Sequence, residues 1–291
     1  SGICYFGGPW LPQFYVGACS DYFTSLEYPI QILEIKERRE RLVDTMLSLA
    51  PKEASLFSAD GREDLEARLN DLQELKSKGR PLYKKWFKQK SNGEQRQMSV
   101  PQTELDSLLR QDVLPIIMRA QIHSSAHGGE NGYSVKSSLQ KHLPIGTAFT
   151  FDLASAFENT HFQYVFDFYY TLIKDLKSGR DSEATLDCAG FLTTLSTVRY
   201  KNGFVDALPQ GSPISVHLFN RLFYPLDKII GDKAQKKGIK YTRWIDDIIL
   251  SAREDNRGNP KFNSFSVEAV IASQKQRNFE RVMALQQFHE R

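Results

Sequence analysis

The first quarter of the chain has apolar residues at helical spacing. Between residues 30 and 50 they recur every three or four positions, and Pro51 ends the pattern. Residues 62–77 repeat it, with leucines on one side. The spacing predicts two helices. Neither contains a group of residues that suggests catalysis or metal binding. Residues 1–30 are rich in aromatics, Gly and Pro and indicate an irregular or extended arm.

The next segment changes from helical to strand-like patterning. Residues 82–100 predict two strands around a turn, because Asn92–Gly93 is a strong hairpin signal. Residues 103–120 predict a helix with Thr103 as its N-cap and a kink or break at Pro115. A Gly-rich loop follows, and a further helix begins at residue 134.

The second half of the chain predicts strands and helices around three aspartates. Residues 147–153 indicate a buried strand ending near Asp152, and residues 240–244 and 248–252 indicate two strands joined through Ile245, Asp246 and Asp247. The remaining expectations are helices over 161–179 and 216–230, a short strand at Arg199–Tyr200, a turn over 208–215 and a helical last segment.

Composition indicates a globular protein and leaves its partners open. The 291 residues are 41% hydrophobic and 25% charged, with a net charge of only +3. One stretch is strongly basic, since residues 76–96 contain eight Lys or Arg, against Glu94 alone, with Tyr83, Trp86 and Phe87 among them. Such a run is either a solvated face or a surface for a phosphate backbone with aromatics for stacking.

Other features predict a cytoplasmic location. The three cysteines, Cys4, Cys19 and Cys188, are widely spaced and odd in number, which argues against a disulfide framework. No apolar run approaches the roughly 18 residues that span a membrane, and the first residues lack the features of a signal peptide.

The aspartates suggest a metal site. Adjacent carboxylates at the junction of two apolar strands repel each other, and a divalent cation relieves that repulsion. Asp152, at the end of another apolar strand, is by itself more often a cap or a turn residue. Together with Asp246 and Asp247, however, it can complete a set that holds two Mg²⁺ ions, as in-line phosphoryl transfer requires.

These segments, in this order, resemble the reverse transcriptases, particularly the bacterial retron and abortive-infection (defence-associated) types. FTFDLASAF resembles the first palm motif of that family, LPQGSPIS the second, and YTRWIDDIILSA the YxDD motif. Upstream, GEQRQMSVP resembles a fingers segment and AHGGENGYS resembles a characteristic loop. The resemblance covers about residues 80–255.

The resemblance implies roles for individual residues. Asp152, Asp246 and Asp247 would be the catalytic metal ligands, with Mg²⁺ as the cofactor and Mn²⁺ able to substitute. Phe157 would be a steric gate against the ribose 2′-hydroxyl, and ordinary core packing is its competing interpretation. The remaining implied contacts are Arg96, Lys88 and Lys90 with the triphosphate, Gln210 and Gly211 with the nucleotide or template, and Trp244 with the primer.

The resemblance also implies an architecture. An α+β fold is expected, with a right-hand polymerase palm of antiparallel sheet plus helices over 147–291. A fingers subdomain is expected over 79–146 and an N-terminal helical extension over 1–78. A thumb is not evident in the sequence.

The implied activity is RNA-directed DNA synthesis from dNTPs, with an RNA template and a DNA primer, in antiphage defence. A non-coding RNA or protein partner and the oligomeric state stay open. Two alternatives also stay open. Gly129 and Glu130 replace an aromatic and a basic residue usual in the family, which leaves room for template-independent or protein-primed synthesis. Trp244, where Tyr is usual, and the missing thumb motivate a non-catalytic, nucleic-acid-binding scaffold. Another palm-fold enzyme is a further competitor.

Overall fold

The computed structural model describes residues 28–51, 59–90, 93–177, 183–201 and 206–253. Within these ranges the chain forms two compact units. The sheet unit comprises residues 122–156 and 223–253, and the helical unit comprises residues 28–121 and 157–222. The sequence predicted three parts with boundaries at residues 78 and 146. That division is based on the resemblance to a family and not on compactness, and it stays a prediction.

The helical unit combines helices with two short antiparallel sheets. Its elements in chain order are α1 (Tyr28–Gln31), a 3₁₀ turn (Ile32–Glu34), α2 (Lys36–Leu49), α3 (Ala59–Ser77), β1 (Tyr83–Gln89), β2 (Gln95–Pro101), α4 (Thr103–Leu108), a π-helical turn (Leu109–Val113), α5 (Leu114–Ile117), α7 (Phe162–Leu176), α8 (Glu183–Ser196), β4 (Val198–Arg199), β5 (Asp206–Ala207) and α9 (Ser215–Leu222).

The sheet unit is built on a three-stranded antiparallel sheet. Its elements are α6 (Val135–Gln140), β3 (Thr147–Asp152), α10 (Tyr224–Lys236), β6 (Lys240–Trp244) and β7 (Asp247–Ala252), and the strand order is β3-β7-β6. Helices combined with small antiparallel sheets agree with the predicted α+β class. Within the described residues, no helix has the length and apolar character needed to cross a membrane.

The two predicted N-terminal helices are confirmed in outline. The first one is interrupted, because Ile35 has extended backbone angles (φ −100°, ψ 105°) between the 3₁₀ turn and α2. The second is α3, which buries Leu65, Leu69 and Leu72 completely or nearly so. The predicted arm and the predicted C-terminal helix lie outside the described residues, apart from the few that form the start of α1.

Helix α8 did not emerge from the sequence pattern. Every residue from Ala189 to Ser196 is buried, so this part of the helix has no exposed polar face that would produce an amphipathic period. Its hydroxyl groups are satisfied within the helix, since Thr193 Oγ1 donates to Ala189 O at 2.7 Å and Thr194 Oγ1 donates to Gly190 O at 3.0 Å. A helix buried on all sides looks like an unpatterned apolar segment in the sequence.

The predicted hairpin is confirmed, with Tyr83 opposite Pro101 at one end and Gln89 opposite Gln95 at the other. Asn92 lies outside the described residues, while Gly93 adopts the positive φ of 86° that its turn requires. The helix predicted over 103–120 is present, with a π-helical turn directly before Leu114 and Pro115.

Three predicted details are wrong. The N-cap of α4 is Gln102, and Thr103 is the first helical residue. Strand β3 is not buried, because it is the edge strand of its sheet and Phe149 is 46% exposed. The helix predicted over 216–230 is two helices, α9 and α10, because Pro225 occupies the first turn of a new helix.

A buried histidine joins the two strands of the β6–β7 hairpin. The ring nitrogens of His142 lie 2.7 Å from Ser251 Oγ on β7 and 2.7 Å from Thr242 Oγ1 on β6. Burial, followed by the charge of Lys240, lowers the pKa of His142. The lowered pKa favours the neutral ring, which bridges the two hydroxyl groups with one nitrogen as donor and the other as acceptor.

A second buried histidine holds the loop before α6. His127 Nδ1 lies 2.9 Å from Ser138 Oγ, and its ring stacks on Tyr133 with centroids 4.1 Å apart. The Lys141 ammonium lies 2.9 Å from Nε2 of the same ring. Burial, followed by the Lys141 charge, lowers the pKa of His127 to about 4.

These rings make the stability of the sheet unit dependent on pH. Both bind a proton less readily in the folded chain than in the unfolded chain, where the pKa is about 6.5. The contribution of His127 is complete above about pH 6.5 and is lost as the pH falls towards its folded pKa of about 4. The contribution of His142 is lost in the same direction, since its pKa is also lowered. We expect the urea midpoint of unfolding, followed by circular dichroism, to decrease over this interval.

The variant Lys141→Met removes the cation beside His127 and should make that decrease smaller. An unchanged pH profile in Lys141→Met and in His127→Gln would show that the buried rings do not govern it.

Candidate active site

The sharp turn between β6 and β7 carries the predicted Asp pair. Trp244 is paired with Asp247, so Ile245 and Asp246 form a two-residue hairpin loop. Ile245 has a φ of 58°, and a positive φ at the first loop position fits a type II′ turn, where Gly is usual. A β-branched residue in this conformation costs roughly 1–3 kcal/mol, so surrounding contacts must hold the turn.

The three predicted carboxylates lie at one end of the sheet. Asp152, the last residue of β3, is directly opposite Asp247, the first residue of β7. The ladder continues past them, because Leu153 N donates to Asp246 O at 3.0 Å. Burial, followed by the negative charge of Asp152, raises the pKa of Asp247. Asp152 and Asp247 therefore form a like-charged pair beside a third acidic residue in the turn.

These three carboxylates are suitable ligands for a hard divalent cation, since Mg²⁺ prefers carboxylate oxygens. A cation would also relieve the repulsion between Asp152 and Asp247. The set is not a preformed cage. Among the described residues, no group of three or more His, Cys, Asp or Glu side chains is arranged to hold a metal ion. The metal role of Asp152, Asp246 and Asp247 stays a prediction.

A completely buried ion pair fixes the strand that leads into the turn. Arg243 on β6 and Asp227 on α10 are both 0% exposed. Arg243 Nε donates to Asp227 Oδ1 at 2.9 Å, and Nη2 donates to Oδ2 at 2.6 Å. The Tyr241 hydroxyl also donates to Asp227 Oδ1, and the guanidinium lies over the Phe223 ring, 4.6 Å from its centroid. The carboxylate thus has several donors, as a buried charge requires.

The same guanidinium reaches the strained turn. Arg243 Nη1 donates to the carbonyl oxygen of Ile245 at 2.6 Å. Since Ile245 is the residue with the positive φ, this bond fixes its peptide in an orientation that the side chain disfavours. Arg243 therefore links α10 to the residue that precedes the Asp pair.

The Gly-rich loop supports the turn from the other edge of β6. Arg243 N donates to Ser125 O at 2.7 Å, and His127 N donates to Arg243 O at 2.9 Å, so the loop adds a short parallel bridge to the sheet. At Gly128 a Cβ atom would lie 2.6 Å from Ile245 N and 2.9 Å from Trp244 C. Only glycine fits there without displacing the backbone of the turn.

The predicted nucleotide contacts lie in the helical unit. Arg96 on β2 is exposed and directly opposite the exposed Lys88 on β1, whereas Lys90 forms an ion pair with Glu94 at 3.0 Å.

Gln210 and Gly211 lie against the same hairpin. Gln210 O accepts a bond from Ser99 N at 2.7 Å. Gly211 has a φ of 117°, and a Cβ atom added to it would lie only 3.1 Å from Val100 Cγ2.

Phe157 is also in the helical unit. Its ring is half-buried and stacks on Phe219 with centroids 5.5 Å apart. This contact agrees with the packing interpretation, while the exposed remainder of the ring is available to a ligand. The structure thus brings Asp152, Asp246, Asp247 and Trp244 together in the sheet unit, and Arg96, Lys88, Gln210 and Gly211 together in the helical unit.

Sequence reasoning did not identify Arg243, Asp227 or Gly128. A signal for the first was present, because an arginine inside the apolar strand KYTRW needs a partner if the strand is buried. Nothing in the sequence identifies Asp227 as that partner, since it lies 16 residues earlier in a helix.

Two curated proteins are similar to this chain. Retron Mx162 reverse transcriptase of Myxococcus xanthus is 26% identical over 203 residues, which are 67% of this chain and 40% of that protein. Retron Mx65 reverse transcriptase of the same organism is 26% identical over 169 residues, 56% of this chain and 38% of that protein. The chain therefore matches about two fifths of the length of these relatives. No family model matches it.

The buried ion pair should dominate the stability of the sheet unit. Arg243→Lys keeps a charge but loses the planar fork that reaches both Asp227 and Ile245 O, so a buried carboxylate is left poorly paired. We expect a loss of about 3–5 kcal/mol in the free energy of unfolding, measured by urea denaturation.

Arg110→Lys is the matched control, because Arg110 forms an exposed ion pair with Asp106 at 2.8 Å. It should leave the urea midpoint nearly unchanged. Equal effects of the two substitutions would show that the buried pair has no special role.

Proposed function

We propose that this chain, which is related to the retron-type reverse transcriptases, carries the catalytic carboxylates of an RNA-directed DNA polymerase. The observation that supports this most is the meeting of Asp152 and Asp247 at the ends of β3 and β7, beside Asp246 in the turn. The two similar proteins are named as retron reverse transcriptases, which agrees with a nucleotidyl transfer. In this proposal the sheet unit belongs to a polymerase palm and the β1–β2 hairpin belongs to the fingers.

Asp152, Asp246 and Asp247 would hold two Mg²⁺ ions, with Mn²⁺ able to substitute. When bound, these ions supply positive charge for the attacking and leaving oxygens of phosphoryl transfer. The protein contributes the position of the carboxylates. Arg243 and Gly128 hold the turn, so Asp246 and Asp247 keep a fixed orientation relative to Asp152.

The helical unit contributes groups suited to a deoxynucleoside triphosphate. Arg96 is a charged, forked donor for phosphate oxygens, with Lys88 beside it. Lys90 is a weaker candidate, since its ammonium is paired with Glu94. Gln210 and the close-packed Gly211 are suited to approach a base or sugar. Phe157 would exclude a 2′-hydroxyl, and Trp244 would contact the primer.

The substrates in this proposal are an RNA template, a DNA primer and dNTPs, with antiphage defence as the biological role. A scaffold that binds nucleic acid without catalysis is the second candidate. It is motivated by Trp244, which stands where the family usually has a tyrosine.

Nucleotide incorporation by the purified chain separates these candidates. We expect dNTP incorporation on a primed RNA template with Mg²⁺ or Mn²⁺. The double variant Asp246→Asn, Asp247→Asn should lose it by at least a factor of about 10²–10³, because the charge that binds the ions is removed. The control Asp232→Asn changes an exposed carboxylate on α10 of the same unit and should keep full activity.

Activity that survives in the double variant would contradict the proposed role of these carboxylates. Absence of incorporation with every nucleotide, metal and template, together with unchanged nucleic-acid binding, would favour the scaffold. Equal yields with and without template would favour template-independent or protein-primed synthesis.

The partly exposed ring of Phe157 generates a separate prediction. Phe157→Ala should decrease the preference for dNTPs over rNTPs by about 10- to 100-fold in kcat/KM, since the space for a 2′-hydroxyl opens. Phe157→Tyr keeps the bulk of the ring and should keep the preference. A ratio unchanged in Phe157→Ala would assign the residue to packing against Phe219 alone.

A further inference from the structure

Two segments of the helical unit lie antiparallel beside each other and lead to predicted nucleotide contacts. His161 in the first segment is paired with Ala207 in the second. Farther along the same two segments, Gln210 Nε2 donates to Glu158 Oε1 at 3.5 Å. Glu158 directly follows Phe157, the predicted steric gate, so this contact joins the segment of the gate to the turn that carries Gln210.

The backbone around Gln210 is fixed without this contact. The carbonyl oxygens of residues 208–210 each accept a hydrogen bond, in order from the Tyr200 hydroxyl at 2.6 Å, Ser215 Oγ at 2.7 Å and Ser99 N at 2.7 Å. A side-chain bond of 3.5 Å between two half-buried residues adds little to the stability of such a turn. The turn therefore does not need a glutamate at residue 158 to keep its conformation.

The contact does determine which end of the Gln210 amide faces Glu158. A carboxylate only accepts hydrogen bonds, whereas an amide has a donating NH₂ end and an accepting oxygen end. The attraction between the carboxylate charge and the N–H groups orients the amide even at a distance that is long for a hydrogen bond. Among the described residues Glu158 forms no ion pair, so no bonded cation competes with the amide for it. Gln210 Oε1 is therefore turned away from Glu158.

An amide oxygen that faces a nucleotide can bind only a donor group. The phosphate oxygens of a nucleoside triphosphate are acceptors, which an amide oxygen repels. The donors of a nucleotide are its sugar hydroxyl and the N–H groups of its base. The orientation set by Glu158 thus favours a contact with the nucleoside part and disfavours one with the triphosphate.

We propose that Glu158 is a positioning residue, which fixes the Gln210 amide so that its oxygen accepts a hydrogen bond from an O–H or N–H donor of the bound nucleotide. Glu158 does not itself touch the nucleotide and acts through Gln210. The inference deepens the proposed function and rests on it for the identification of the ligand as a nucleotide. Its test requires no catalysis.

The test measures nucleotide binding by the full chain on an RNA template whose primer ends in a dideoxynucleotide, so that no turnover occurs. Affinities for dNTPs are measured with Mg²⁺ by competition with a fluorescent dNTP. Glu158→Gln keeps the size of the side chain but holds neither end of the Gln210 amide in preference. We expect it to weaken dNTP binding about 2- to 10-fold, the effect of one misoriented hydrogen bond.

A double-mutant cycle shows whether Glu158 acts through Gln210. Gln210→Ala should weaken binding at least as much as Glu158→Gln, and Glu158→Gln should cause no further loss in the Gln210→Ala background. The matched control is Glu74→Gln, because Glu74 is an exposed glutamate on α3 that is paired with Lys78. The control should bind dNTPs like the wild type, and all these variants should keep the urea midpoint of the wild type.

The variant Glu158→Lys tests the orientation of the amide directly. Lysine only donates, so it would hold Gln210 by its oxygen and turn the NH₂ end towards the nucleotide. The same substitution in the Gln210→Ala background measures the effect of the added positive charge alone. Relative to that effect, we expect Glu158→Lys to weaken dNTP binding when Gln210 is present.

Comparison of each dNTP with its 2′,3′-dideoxy counterpart identifies the donor. If the sugar hydroxyl is the donor, the wild type binds the dNTP more tightly than the dideoxy form, and Glu158→Gln decreases this difference equally for all four bases. If a base N–H is the donor, Glu158→Gln weakens both sugar forms equally and by an amount that differs among the bases. Either pattern supports the proposal.

An unchanged dNTP affinity in Glu158→Gln would overturn the proposal, as would an equal loss from this substitution in the wild-type and Gln210→Ala backgrounds. A lower urea midpoint that accounts for the loss would assign Glu158 a structural role and also overturn it. Incorporation by the wild type without coupling between the two residues would leave the proposed function intact while this inference fails. Coupled dNTP binding without incorporation on an extendable primer would have the reverse meaning.

Discussion

The buried ion pair between Arg243 and Asp227 is the interaction on which the sheet unit depends. Both side chains are removed from water, which costs several kcal/mol for each charge unless the partner geometry is favourable. Here the guanidinium donates to both carboxylate oxygens, the Tyr241 hydroxyl adds a further donor, and the Phe223 ring covers the cation. The pair therefore joins β6 to α10, because separating the two side chains would leave two buried charges unpaired.

The conformation of the turn between β6 and β7 depends on this contact between β6 and α10. Ile245 would not hold a positive φ by its own preference, and three constraints act on it together. Arg243 binds its carbonyl oxygen, the loop before α6 bonds to the backbone of Arg243, and Gly128 lets that loop approach to within contact of the turn. The strain is therefore maintained by contacts from outside the hairpin, which is how strained backbone usually persists near functional residues.

The sequence was informative where local pattern and local structure coincide. The β6–β7 hairpin follows from two apolar strands around a short turn, and the β1–β2 hairpin follows from the Asn92–Gly93 turn signal. Helices α2 and α3 follow from apolar spacing. It failed where tertiary context decides. Strand β3 looks buried because TAFTF is apolar, yet its position at the sheet edge leaves Phe149 exposed. Helix α8 was not predicted, because the residues from Ala189 to Ser196 are buried on every side and show no amphipathic period. The carboxylates could be predicted from a resemblance between ordered motifs, whereas the partner of Arg243 depends on a contact that only folding creates.

The arrangement of charges explains why the acidic pair keeps its repulsion. Arg243 is only four residues before Asp247, and a guanidinium bonded to Asp152 and Asp247 would reduce the repulsion between them. Asp227 opposes this, because it binds two of the three guanidinium nitrogens, Nε and Nη2, while Nη1 donates to the neutral carbonyl of Ile245. Arg243 can then hold the turn while Asp152 and Asp247 remain a repelling pair. Burial, followed by the charge of Asp152, raises the pKa of Asp247. The fold thus pairs the buried guanidinium with a carboxylate in the core and not with Asp152 or Asp247.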